Sequence, residues 1–348
     1  MLLQKMIGGV FSVWGKYEEA KYKRLFKKKG SSHIDDHKKV YYIIRRYPRG
    51  AGFFSNYLCV LSHIAYAMEM KYIPVVDMKR YPTLYSERTE INGTRNAWEY
   101  YFHQPEDCSL KAAYRSNNYI LSESGFQEQG GRFLSGAYMF PLEDGVTFYH
   151  PMCRRVGIRR FLEEELEAES RALSLTEKKT LGIHIRGTDM SGGGYGNHPV
   201  SAGLQSYIDM TEKLIRDDGE IQQIFLATDE EKAEKCFKEH FGAMVRTTRA
   251  YRAKGDTTRG IHYSAVEGRK RKNHNYLLGK EVIKDAYLLS KCDKLICGFS
   301  NVASVAIIWN HNRYEKIACI CNEEYGKKLT EELTKRQKAD SSRYIISF

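Results

Sequence analysis

Short apolar runs alternate with amphipathic stretches along most of the chain, separated by polar segments that often carry glycine. Residues 40–44 form the first such run and read as a strand. A loop over 45–56 (RRYPRGAGFFSN) leads into a predicted helix over 57–70, with Leu58, Leu61, Ile64, Ala65 and Met68 on one face. Residues 73–76 give the next strand and complete a β-α-β unit. The pattern is less regular over 82–151, where 96–102 predicts a short aromatic helix, 118–122 a strand and 125–136 a loop. A charged stretch over 154–172 predicts a helix bridging two lobes, its charges forming a solvated face. From residue 180 the alternation is clean. Strands are expected over 180–186, 223–227, 243–246, 294–297 and 314–321, and helices over 204–215, 232–241, 280–290 and 299–310. A glycine loop covers 191–197, and a polar, basic loop covers 247–275. Strands alternating with helices predict parallel, doubly wound sheets. The expected divisions are a basic segment over 1–37, a first lobe over 38–176, a second lobe over 177–330 and a tail over 331–348.

The chemistry gathers at the carboxyl ends of these strands, where open α/β sheets bind ligands. The run TLGIHIRGTD (180–189) ends in His184, Arg186 and Asp189, and the strand over 223–227 runs on to Asp229. Arg186 carries a permanent charge on a rigid fork of donors, suited to a diphosphate, although a structural Arg–Asp pair would read the same way. Ser300 and Asn301 open a helix, whose free N–H groups favour an anion. Gly50 and Gly52 occupy the first strand-to-helix turn, a position that fits a phosphate or a plain tight turn. Asp285 falls mid-helix among apolar residues, either solvated or placed to accept from the N–H edge of a guanine.

Composition narrows the partners. The 348 residues are 42% hydrophobic, enough for real cores, and the net charge of +12 favours an anionic ligand, a nucleic acid or an acidic membrane surface. The RKRK run at 269–272 has little aromatic interleaving, which argues against nucleic acid. The 25 tyrosines suit stacking on sugars or bases. None of the eight cysteines forms a C-x-x-C pair, so a zinc site is not expected, and a reducing, cytoplasmic setting fits. The apolar patch over 7–14 is too short for a membrane span and lacks a signal-peptide cleavage site. With the cations of 21–29 it suits peripheral contact with an anionic membrane, or a solvated helix, equally well.

IFLATDE (224–230), GKEVIKDAYLLSKCDKLICGFSN (279–301), HIRGTD (184–189) and the loop PRGAGFFSN (48–56) resemble the motifs of GDP-fucose-dependent fucosyltransferases. The likeness is nearest to the α1,6-fucosyltransferases of N-glycan cores and the rhizobial nodulation enzymes. It implies a GT-B-like α/β fold of two Rossmann-like lobes with parallel sheets facing a cleft. It also implies an inverting transfer, with GDP-fucose as donor and no obligatory metal or cofactor. By the same resemblance His184 and Asp285 recognise guanine. Arg186, Ser300 and Asn301, with backbone N–H groups near Gly50 and Gly52, hold the diphosphate, while Asp189 and Asp229 orient Arg186 and its loop.

The chain departs from those motifs twice. Gly187 stands where the core enzymes carry a second arginine, and their proposed base, a glutamate, falls on Gly194. Candidates for the base are therefore Glu123 from the first lobe, His198 after the glycine loop, and Asp189. Against His198, its place before Pro199 also reads as the plain start of the next helix. The expected activity is fucosyl transfer to a glycan, such as a bacterial surface polysaccharide, by a cytoplasmic or membrane-peripheral enzyme. The alternatives are a transferase using another nucleotide sugar, and a catalytically inactive protein that binds nucleotide sugars or glycans.

Overall fold

The computed structural model describes residues 29–46, 51–123, 141–187, 203–254, 271–335 and 342–347, together with 24 and 261. A three-stranded sheet comes first: β1 (Tyr41–Ile44), β2 (Ile73–Val76) and β3 (Tyr119–Leu121), parallel and in the order β2-β1-β3. Helix α1 (Phe53–Glu69) links β1 to β2 and starts earlier than the predicted residue 57. Burial explains the early start. Phe53 meets Tyr85 and Tyr101 edge-to-face, at 4.9 and 5.0 Å between ring centroids. A 3-10 turn over Ala97–Tyr100 buries Trp98 and Tyr100, and α2 (Leu110–Arg115) is capped by the Ser109 side chain. The single helix predicted over 154–172 is two helices, α3 (Glu143–Val156) and α4 (Arg160–Ala172). The chain turns between them at Gly157, whose φ of +46° favours a residue without Cβ.

The second sheet has six parallel strands: β4 (Thr180–Ile185), β5 (Gln223–Thr228), β6 (Val245–Arg246), β7 (Lys294–Cys297), β8 (Lys316–Ile320) and β9 (Tyr344–Ser347). Helices α5 (Leu204–Asp217), α6 (Glu231–Phe241), α7 (His274–Leu289), α8 (Asn301–Asn310) and α9 (Glu323–Lys335) alternate with them. The sheet order is β6-β5-β4-β7-β8-β9. From β4 the chain winds outward to β6, then returns to the other side of β4 and winds outward again. The direction reverses between β4 and β7, the switch point where such sheets open a crevice at their carboxyl ends. Residues 344–347, expected in a tail, instead supply β9, which pairs with β8 from Ile317–Tyr344 to Ile320–Ser347.

The two sheets share a core. One continuous cluster of buried apolar residues includes Phe53, Tyr57 and Trp98 of the first lobe, and Leu278, Ile283 and Ile307 of the second. Trp309 donates from Nε1 to the Tyr57 hydroxyl at 3.2 Å, and the Tyr101 hydroxyl donates to the Tyr276 carbonyl at 2.9 Å. The charged face of α4 is not simply solvated. Glu165 and Glu169 pair with Lys280 and Lys284 of α7 at 2.6 and 3.0 Å, and Glu167 pairs at 2.8 Å with Lys291 in the turn after it.

Gly279 lies at the tightest point of this junction. A Cβ there would fall 2.4 Å from the Tyr101 hydroxyl oxygen and 2.8 Å from the Phe53 ring. Both rings are buried and cannot swing away. Gly279→Ala should therefore destabilise the whole chain by about 1–3 kcal/mol through overpacking. Chemical denaturation would show this as a lower midpoint with an unchanged slope.

Candidate active site

His184 is the second-last residue of strand β4 and is buried. Burial, with the Arg186 charge nearby, pushes its imidazole pKa down to about 3, so the ring is neutral at any working pH. Across the switch point, Ser300 is the N-cap of α8, and its Oγ accepts from the Ala303 amide at 3.0 Å. The same oxygen is 3.2 Å from His184 Nδ1. The serine hydroxyl and the imidazole share one hydrogen bond whose direction follows the ring tautomer. A polar link thus joins the ends of β4 and β7 where the winding reverses, and Asn301 follows as the first residue of α8.

Arg186 is the first residue beyond β4 and is half-buried. Beside it the Gly187 amide donates to Asp229 Oδ1 at 3.0 Å, so Asp229 fixes the start of the loop after Arg186. Asp285, on α7, is half-buried and accepts from the Thr248 hydroxyl at 3.3 Å. Burial raises its carboxyl pKa to about 7, opposed mainly by the Arg252 charge, while Glu281 adds to the rise and Lys284 counters it. Arg252 also pairs with Glu234, with 3.1 Å between Nε and the carboxylate, and donates to the Thr248 carbonyl at 2.9 Å. Thr248 and Arg252 fall in the stretch expected to be a polar loop, and only the fold shows that they face Asp285.

The other expected residues come from the first lobe or lie outside the described chain. Glu123 is exposed just past the end of β3. Gly52 is the N-cap of α1 with an ordinary extended backbone, φ −62° and ψ 162°, and open space where a side chain would be. Gly50, Asp189, Gly194 and His198 lie outside the described residues. At the end of β1, Arg46 donates to Asn56 Oδ1 at 3.0 Å and is buried, a polar pair absent from the sequence-based assignment. Among the described residues, no three His, Cys, Asp or Glu side chains cluster so as to hold a metal ion.

Residues 156–307 match the family model of the alpha-(1,6)-fucosyltransferase N- and catalytic domains. The matched region is of the α1,6-fucosyltransferase type. It runs from the last residue of α3 to within α8, a little under half of the chain, and contains every residue of the crevice just described, which supports a glycosyltransferase. No curated protein is matched by sequence. Among solved structures, the fucosyltransferase NodZ from Bradyrhizobium aligns at 14% identity over 80% of this chain and 95% of its own, with a TM-score of 0.43. A variant of FUT1 from Arabidopsis thaliana, in complex with GDP, aligns at 11% identity over 85% and 76%, with a TM-score of 0.43. POFUT1 in complex with GDP aligns at 9% identity over 80% and 97%, with a TM-score of 0.44.

Proposed function

We propose that the chain transfers fucose from GDP-fucose to a glycan, with inversion at the anomeric carbon. The observation that carries this reading is the polar link from His184 to Ser300 across the β4–β7 switch point, with Arg186 beside it, inside the fucosyltransferase-type region. Negative charge grows on the GDP oxygen as the glycosidic bond breaks. Arg186 and the free N–H groups of α8 meet that charge in a water-poor crevice. Asp229 holds the loop that aims Arg186. Asp285, ionised, accepts the two N–H groups of the guanine edge, and neutral His184 offers a ring nitrogen. Fixed positive charge at the diphosphate makes a metal unnecessary in this reading.

A bacterial surface polysaccharide under construction suits a chain with a basic N-terminal segment that can rest on an anionic inner membrane surface. The test is a panel of nucleotide sugars. GDP-fucose should be consumed in preference to GDP-mannose and to uridine diphosphate sugars, with GDP binding far more tightly than UDP. Activity should survive EDTA. Preference for a uridine donor would replace the donor assignment. Tight GDP binding without turnover of any donor would mark a nucleotide-sugar-binding protein, and loss of activity in EDTA restored by manganese would overturn the charge assignment.

A further inference from the structure

We propose that Arg252 is a positioning residue of the guanine site, holding the Asp285 carboxylate ionised and in place for the base, a role that rests on the fucosyl-transfer reading above. The stretch after β6 is pinned at both ends. Val245 and Arg246 pair with Ile224 and Phe225 of β5, and Ala253 bridges to Glu230 just past that strand. The Ala253 amide donates to the Asp229 carbonyl at 2.8 Å, and the Glu231 amide donates to the Ala253 carbonyl at 3.2 Å. Between those ends the stretch touches α6 through Thr247 and Arg252, and α7 through Thr248. Only 9% of the Arg252 side chain is exposed, and a charge so deep needs a counter-charge. The guanidinium donates to the carbonyl of Thr248, the residue whose hydroxyl donates to Asp285. Its Nε is 3.1 Å from Glu234 Oε2 but out of line for a hydrogen bond.

Glu234 alone does not account for the buried arginine. It also pairs with Lys238 and accepts from Thr247, so two cations face one carboxylate and a positive charge is left over for Asp285. The other charges near Asp285 are matched among themselves. Glu281, one turn back on α7, is held by two nitrogens of Arg271 at 2.6 and 2.8 Å. Lys284 pairs with Glu169 of α4, where Glu165 and Glu167 are likewise paired, and His184 of β4 is neutral. Burial raises the Asp285 carboxyl to about 7, and the Arg252 charge is the largest influence opposing that rise, ahead of Thr248 and Lys284. Without Arg252 the carboxyl would stay protonated through neutrality. It would then present an O–H where the guanine edge needs a second acceptor.

The test is GDP affinity of the full chain, measured by calorimetry between about pH 5.5 and 8.5. In Arg252→Gln the pH at which affinity reaches half its plateau should rise by about one unit from its wild-type value near 7. Affinity at pH 7 should then fall about fivefold, while at pH 8.5 the two chains should agree within about twofold. Ionisation of the GDP phosphates is common to both chains and cancels in the ratio. Arg252→Lys keeps the charge and should keep the wild-type midpoint. Glu234→Gln leaves both cations without their carboxylate and should move the midpoint down. In an Asp285→Asn background, Arg252→Gln should change affinity by less than about twofold at every pH. An unmoved midpoint in Arg252→Gln overturns the proposal, as does a loss that is equal at all pH values or that persists with Asp285→Asn. A lysine variant that behaves like the glutamine one also overturns it. Should Arg252→Gln not fold, Glu234→Gln decides, and an unmoved or raised midpoint there overturns the proposal. A wild-type chain that does not bind GDP overturns the transfer reading itself, and the role of Arg252 with it.

Discussion

Replacing Arg186 by alanine should reduce turnover of GDP-fucose by about 30- to 900-fold, equivalent to about 2–4 kcal/mol of lost transition-state stabilisation. GDP affinity should fall with it, because the guanidinium meets the same oxygens before and after bond cleavage. The loss should be larger in turnover than in binding, since the charge on the departing oxygen is greatest as the bond breaks. Lysine should restore little, because a single ammonium cannot reproduce the paired donors of the fork. Arg186 is half-buried just beyond the end of β4, and the strand's pairing does not depend on its side chain. The thermal midpoint should therefore stay near that of the unaltered chain. A variant that folds normally and turns over at the full rate would remove Arg186 from the chemistry.

The second large effect concerns Asp285 and is visible in pH as well as in affinity. Its carboxyl titrates near 7 in the folded chain, against 3.8 as its ordinary value. A folded pKa raised in this way contributes stability below about pH 4 that is lost as pH rises through 7. Guanine binding has the opposite dependence, because the ionised carboxylate is the form that accepts the two N–H groups. GDP affinity should rise up to about pH 7 and then level off. Asp285→Asn should weaken GDP by about 100-fold or more at pH 8, since hydrogen bonds to a charged group contribute about 1.5–3 kcal/mol each. The same variant, without ligand, should melt higher than wild type at pH 8 and lose that advantage at pH 4. Inosine diphosphate, which lacks the exocyclic amine, should bind the wild-type chain less tightly than GDP. Equal affinities for the two, or pH-independent GDP binding, would separate Asp285 from guanine.

The strands that build the crevice are readable as sequence because a buried parallel strand must be apolar along its length. The runs 180–185, 223–228 and 294–297 are bounded by polar or glycine residues, and both sheets follow from their alternation with amphipathic stretches. For the same reason His184, Arg186, Asp229 and Ser300 are conspicuous, being polar residues that interrupt an apolar run at its carboxyl end. What escapes is whatever depends on a partner distant in the chain. The sequence YIIS over 344–347 is too short to distinguish a strand from a tail until β8 lies beside it. The break at Gly157 is hidden because the residues on both sides favour a helix. Thr248 and Arg252 belong to a polar stretch whose meaning comes from Asp285, on another element. Gly187 on its own reads as a lost arginine. Only the pairing of β4 with β5 shows that an acidic side chain stands in the vacated volume.

The shared core has a bearing on how this protein could be divided, in the laboratory or by recombination. The region matched by the family model begins at the end of α3 and stops within α8, as if it were a transferable cassette. Its inner surface is completed by Phe53, Tyr57, Trp98 and Tyr101, which come from outside that region. Cut out at those limits, the cassette would expose the apolar side of α7 and lose β8 and β9 from the sheet edge. The part of this chain that carries the recognisable signature is thus smaller than the part that must be inherited together.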